Sequence, residues 1–127
     1  MTIGYVTIGA RDVESAVPFF ENTLAPLGYE RSHPAPGGAF FEPKGAPPAL
    51  EILTPFGGQA PSAGNGMMVA LQAETKEQVH AVHAAALANG GTDEGAPGYR
   101  PPGAASGFYG GYFRDPVGNK FAVFVWA

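Results

Sequence analysis

Residues 112–126 read YFRDPVGNKFAVFVW. Two apolar runs flank Asp115-Pro116-Val117-Gly118-Asn119. An Asp opening a turn accepts backbone hydrogen bonds, Pro presets φ, and Gly supplies a positive φ. The spacing therefore predicts a β-hairpin. Beyond the turn, strand alternation puts Phe121, Val123 and Val125 on one face and Ala122, Phe124 and Trp126 on the other. Both faces are apolar, so both are expected to be covered, one by helices and the other around a lined cavity.

Upstream of the hairpin, Met67–Ala73 (MMVALQA) reads as a strand. Thr75 and Gln78 have the spacing of a capping box. Val79, Val82, Ala86 and Leu87 then form an apolar helical stripe, stopped by Asn89-Gly90-Gly91. Gly95–Gly107 reads as a loop, and Phe108–Phe113 and Lys120–Trp126 as the closing strands.

The first half repeats this order. Residues 2–9 read as a strand with Ile3, Tyr5 and Thr7 on one face and Gly4, Val6 and Ile8 on the other. Asp12 reads as a helix N-cap, followed by Val13, Ala16, Val17, Phe20 and Leu24 at helical spacing. Pro18 falls inside that stripe, where a proline costs about 3 kcal/mol. A short first segment and then a helix to Leu24 are expected, closed by Pro26 and Gly28. Tyr29–Arg31, Ala39–Glu42 and Ala49–Thr54 read as strands, with a turn at Pro43-Lys44-Gly45. Gly57–Gly66 is a Gly/Ala/Pro/Ser linker.

Strand–helix–strands thus occurs twice, with Tyr5-Val6 matching Met68-Val69 and Pro43-Lys44-Gly45 matching Pro116-Val117-Gly118. Neither half buries both faces of a sheet alone, whereas two can share a core. The expected fold is α+β: two βαβββ modules, residues 1–56 and 67–127, joined by a linker at 57–66 into one domain. The sheet forms a cup with helices on its outer face.

The terminal hairpin and the duplicated pattern, covering nearly the whole chain, resemble the vicinal oxygen chelate superfamily. That group contains glyoxalase I, the bleomycin-resistance proteins and the extradiol dioxygenases. Its scaffold hosts isomerases, oxygenases, epimerases and non-catalytic binders, so the chemistry must be read from the site residues. In metal-dependent members, four ligands, usually His, Glu or Gln, converge from four strands on a divalent ion that polarises neighbouring substrate oxygens. Here the resemblance places those positions at Tyr5, Glu51, Met68 and Ala122. Glu51, in Leu50-Glu51-Ile52, is a good ligand. Tyr is uncommon, Met is soft, and Ala has no lone pair. No metal and no cofactor are expected.

The remaining cup residues are Tyr5, Thr7, Glu51, Met68, Gln72, Ala122, Phe124 and Trp126, an aromatic lining with few polar groups. It suits a small, partly planar organic ligand. Glu51 and Tyr5 are the candidate catalytic pair. Glu51 among aromatics is expected to have a raised pKa and to act as base or acid, or simply to bond with Tyr5. Tyr99, Arg100 and Tyr109 read as loop residues that close over the site, with Arg100 available to an anionic group. His80 and His83, three apart on the second helix, read as a solvated face, and His33 as an exposed loop residue.

With 127 residues, a net charge of −4 and no Cys, the chain has no basic footprint for nucleic acid, no disulfide and no thiolate chemistry. Neither a membrane-spanning run nor a signal-peptide pattern is present, so the cytoplasm is the expected location. A homodimer is expected, because free strand edges and apolar faces call for a partner. Four functions follow: a small-molecule binder, a metal-independent isomerase or lyase using Glu51, a metal-dependent glyoxalase or dioxygenase, and a ligand-free domain. The four positions argue against the third.

Overall fold

A computed structural model describes residues 1–35, 37–44 and 47–127, with the side chains of 33–35 outside the description. Its elements are β1 (Tyr5–Gly9), α1 (Val13–Leu24) with a 3-10 turn at Ala25–Leu27, β2 (Tyr29–Ala35), β3 (Gly38–Pro43) and β4 (Ala49–Leu53). These are followed by β5 (Val69–Gln72), α2 (Lys76–Ala88), β6 (Thr92–Arg100), β7 (Phe108–Arg114) and β8 (Lys120–Trp126). The fold is the expected α+β one, and its eight strands form two open four-stranded mixed sheets. Their orders are β1-β4-β3-β2 and β5-β8-β7-β6. In each, the module's first strand lies parallel to its last, and the other pairs are antiparallel.

Helix α1 is continuous, which corrects the expected break at Pro18. The proline side chain is exposed, so the ring meets solvent and not the sheet. Asp12 is the N-cap residue, but its carboxylate accepts from the Ser15 hydroxyl instead of a first-turn amide. The chain leaves through Gly28 at φ 79, a left-handed value that glycine adopts freely. Helix α2 has the full capping box: Gln78 N–H donates to Thr75 Oγ1 (3.1 Å), and Thr75 N–H donates to Gln78 Oε1 (3.2 Å).

Both helices pack on one face of the sheets, and a single core joins the modules. Phe20 from α1 lies 6.2 Å from Phe41 in the first sheet and 5.9 Å from Phe121 in the second. Phe113 stacks on Phe121 at 5.5 Å. As alternation predicts, Phe121, Val123 and Val125 are buried in this core. The opposite, open face of each sheet is covered only in part: Trp126 is 64 % exposed, whereas Ala122 on the same face of β8 is buried. The expectation of cover on both faces therefore fails for the isolated chain.

Two segments read as loops are strand. β2 runs on to Ala35 and includes the His33 backbone; the His33 side chain and Gly45 of the expected turn lie outside the described residues. β6 takes in the first part of the supposed Gly95–Gly107 loop, up to Arg100. It is an edge strand with register shifts around Gly95 and before Gly98, and edges tolerate proline and bulges.

The closing turn is built as its residues dictate. Asp115 Oδ1 accepts from the amides of Val117, Gly118 and Asn119 (3.1, 2.9 and 2.8 Å), and Gly118 has φ 111. Asn119 Nδ2 donates to Asp115 Oδ2 (2.9 Å) and to the Gly9 carbonyl in β1 (3.2 Å), tying the two modules together.

Candidate open-face binding site

Alternation along β1 and β4 sends Val6, Ile8, Leu50 and Ile52 toward the helices and leaves Tyr5, Thr7 and Glu51 on the open face. The register sets Glu51 between Thr7 on β1 and Phe40 on β3. Tyr5 pairs with Ala49 instead, and its ring meets Phe40 edge-on at 5.5 Å. No Tyr5–Glu51 hydrogen bond forms among the described residues, because the parallel register places Thr7 and not Tyr5 beside the carboxylate. Gly38 makes room for Glu51: a Cβ there would stand 2.9 Å from Glu51 Oε2.

On the second sheet, Ala122, Phe124 and Trp126 of β8 share the open face with Phe108, Gly110 and Tyr112 of β7 and with Gln72 and Ala70 of β5. Phe108 stacks on Phe124 at 5.1 Å and 10°, and Trp126 stands edge-on to both at 5.6 and 5.5 Å. The missing side chain at Gly110 permits this, since a Cβ there would lie 2.7 Å from Phe108 Cε1. Ala70, Ala122 and Tyr112 form a cross-strand row, low at its two alanines. Arg100, opposite Phe108, reaches along the face until its guanidinium lies 5.6 Å from the Tyr112 ring centroid. Lys120 Nζ lies 5.7 Å from the same ring. Met68 lies just before β5, beside Met67, Arg114, Lys120 and linker residues 63–66 around a groove of about 560 Å³. A groove of about 540 Å³ runs between Thr7, Leu53, Phe56 and the linker's Gln59 and Pro61.

Nine of the ten expected ligand residues therefore sit on open faces: Tyr5, Thr7 and Glu51 on one, Met68, Gln72, Arg100, Ala122, Phe124 and Trp126 on the other. Within one chain the two groups meet only where Thr7 and Met68 line one cleft of about 170 Å³ with Lys120. Among the described residues no strand pairing and no aromatic contact joins one open face to the other. Tyr109 is corrected: opposite Val125, it faces α2, and its hydroxyl pairs with His80 Nε2 at 2.6 Å. Tyr99 and Arg100 are likewise strand residues and not a closing loop, and Tyr99 turns with Tyr109 toward Lys76 of α2. Phe40, Phe108, Tyr112 and Lys120 were not anticipated. Counting outward from the Asp115–Asn119 turn pairs Tyr112 with Ala122 and Phe108 with Trp126, and would have found two of them.

The α2 face is also less solvated than expected. His83 is 6 % exposed, and its Nε2 lies 3.0 Å from Asp93 Oδ1. The Gly95 amide, followed by His83, holds the Asp93 carboxyl below the usual range. A hydrogen bond to Tyr99 raises the Lys76 ammonium above its usual value.

The four positions that carry a divalent ion in metal-dependent relatives do not form a fitting donor set here. Ala122 offers no lone pair, Met68 offers a thioether, and the Tyr5 ring packs on Phe40. Among the described residues no three His, Asp or Glu side chains converge. Among the described residues no helix is long and apolar enough to cross a membrane.

Residues 2–123 match the family model "Glyoxalase/Bleomycin resistance protein/Dioxygenase superfamily". The chain is 33 % identical to a glyoxalase/bleomycin resistance protein from Albidiferax ferrireducens T118, covering 98 % of both chains with a TM-score of 0.86. It shares its fold with a glyoxalase/bleomycin resistance protein/dioxygenase family enzyme from Burkholderia phytofirmans PsJN (17 % identity, 100 % of both chains, TM-score 0.75). It does so too with the hypothetical protein SA1046 of S. aureus (18 % identity, 98 % of this chain and 93 % of that one, TM-score 0.71). A search of curated proteins finds no match.

Proposed function

Because the chain belongs to the glyoxalase/bleomycin resistance protein/dioxygenase superfamily, we propose that it is a small-molecule-binding member lacking the usual divalent metal site. It works as a homodimer in which a second copy covers the open faces and completes the cup. The observation that carries this reading is the exposure of the lining. Tyr5, Met68 and Trp126 are 57, 43 and 64 % exposed, although each lies on a face with further apolar side chains. Large apolar side chains exposed on a face with apolar neighbours mark an interaction or ligand surface. Among the described residues the outer edges of β2 and β6 are also without a strand neighbour, which favours association.

The bound molecule is small and partly planar. Stacked Phe108 and Phe124, with Trp126 across them, offer flat apolar surface. Beside it β5 presents the exposed Ala70 and Gln72. Glu51 supplies an acceptor on the other sheet's face.

A second reading rests on Glu51, half-buried on the open face beside Thr7. A carboxylate there can act as the base of a metal-independent isomerase or lyase, with Tyr5 as acid. Deuterium exchange separates the two. We expect no protein-dependent exchange of C–H protons when small α-hydroxy ketones are followed by NMR in D2O. Exchange that Glu51→Gln abolishes would replace the binding reading with the catalytic one.

A further inference from the structure

We propose that the open face of the second sheet selects planar aromatic ligands that carry an anionic group, held by Arg100 and Lys120 on either side of Tyr112. This rests on the small-molecule reading above and names the class of molecule taken.

The first support is electrostatic. The chain carries 11 acidic and 7 basic residues. The ion pairs among its described residues are Arg31–Glu14, His83–Asp93 and Arg114–Glu94. Arg100 and Lys120 are therefore two half-buried cations without a carboxylate partner, in a chain where acids are in excess. Both lie within about 6 Å of one aromatic ring, close enough for a cation–π contact. That contact leaves the Lys120 ammonium, and the guanidinium N–H groups that the backbone does not take, to donate outward.

The second support is that Arg100 is seated. Its guanidinium donates to the Ala96 carbonyl (2.7 Å) and the Tyr99 carbonyl (3.3 Å). A Cβ on Gly95 would come 3.3 Å from one guanidinium nitrogen, and on Gly98 3.2 Å from the other. The two glycines leave the space in which the guanidinium lies across the bulged strand. A planar fork held this way keeps donors for a carboxylate without further loss of rotamer freedom.

The third support is adjacency. The cations flank Tyr112, whose cross-strand row runs through the fully buried Ala122 to the exposed Ala70. Phe108, which stacks on Phe124, also lies nearly parallel to Tyr112 (6.5 Å, 19°). A ring resting against this aromatic surface brings a substituent at its edge to Arg100 and Lys120.

Trp126, the sole tryptophan, reports on this face. Quenching of its fluorescence would be titrated with naphthalene-2-carboxylate and with the neutral naphthalene-2-carboxamide. A charge-assisted contact predicts that the carboxylate binds at least ~10-fold more tightly. That preference falls below ~3-fold in Lys120→Gln and in Arg100→Gln, while carboxamide affinity stays within ~2-fold. Lys120 makes no hydrogen bond to the backbone among the described residues, so its variant keeps the test valid if Arg100→Gln disturbs β6. Equal affinity for the two probes overturns the anion assignment and leaves the small-molecule reading standing. Failure of both probes to bind overturns both. Variants that weaken self-association without altering probe preference would show that the cations serve carboxylates of a second copy, which also overturns the assignment.

Discussion

Phe20→Ala is expected to lower the stability of the chain by about 4 kcal/mol, near the upper end for a buried aromatic. Phe20 is 2 % exposed and stands among Phe19, Phe41 and Phe121, so its removal opens a cavity where α1 meets both sheets. Contacts on three sides prevent the site from collapsing by a local shift. The loss falls on the joint between the modules, not on one of them. Urea unfolding followed by far-ultraviolet circular dichroism and by Trp126 emission should give coincident transitions for the parent chain. In the variant the midpoint should fall sharply. A loss below about 1.5 kcal/mol would mean that the modules do not depend on this contact.

Asp115→Ala is expected to cost about 3 kcal/mol, because one buried carboxylate satisfies three successive turn amides. At 3 % exposure, water cannot easily replace it. The same change removes the acceptor that orients Asn119, whose amide also holds the Gly9 carbonyl across the module boundary. Asp115→Asn keeps one oxygen for the amides and should recover roughly half of the loss. Denaturant midpoints of the two variants check this. Equal losses for Ala and Asn would show that the carboxylate's charge, not its accepting oxygen, holds the turn.

These two residues also mark where the sequence was legible. A turn such as Asp-Pro-Val-Gly-Asn has local chemistry, and strand alternation around it sorted Phe121, Val123 and Val125 from Ala122, Phe124 and Trp126 correctly. The duplicated order could be read for the same reason, since each module repeats its own caps and stops. β6 could not. Its glycines and proline are breakers by local propensity, and only pairing with β7 along an edge makes them a strand. The error propagated to the site: with β6 read as a loop, Tyr99 and Arg100 became lid residues, whereas the register puts them on opposite faces. Pro18 misled in the opposite direction. A local penalty predicted a break, and packing of Val17, Phe19, Phe20 and Leu24 in the core overrides it. His83 looked like surface by spacing to His80, and its burial follows from a partner, Asp93, on the strand that was not seen.

The open faces bear on function most directly, because one chain leaves them only partly covered while lining them with aromatic side chains. A partner of any kind at any other surface leaves Trp126 in water. Association through the open faces transfers it to an apolar setting. The emission maximum of Trp126 should therefore be recorded as the protein is concentrated from nanomolar to high micromolar, with mass followed by sedimentation equilibrium on the same samples. The account predicts a blue shift that rises in step with the dimer fraction. Emission that stays at the water-exposed wavelength while the chain dimerises, or a chain that remains monomeric throughout, would contradict it.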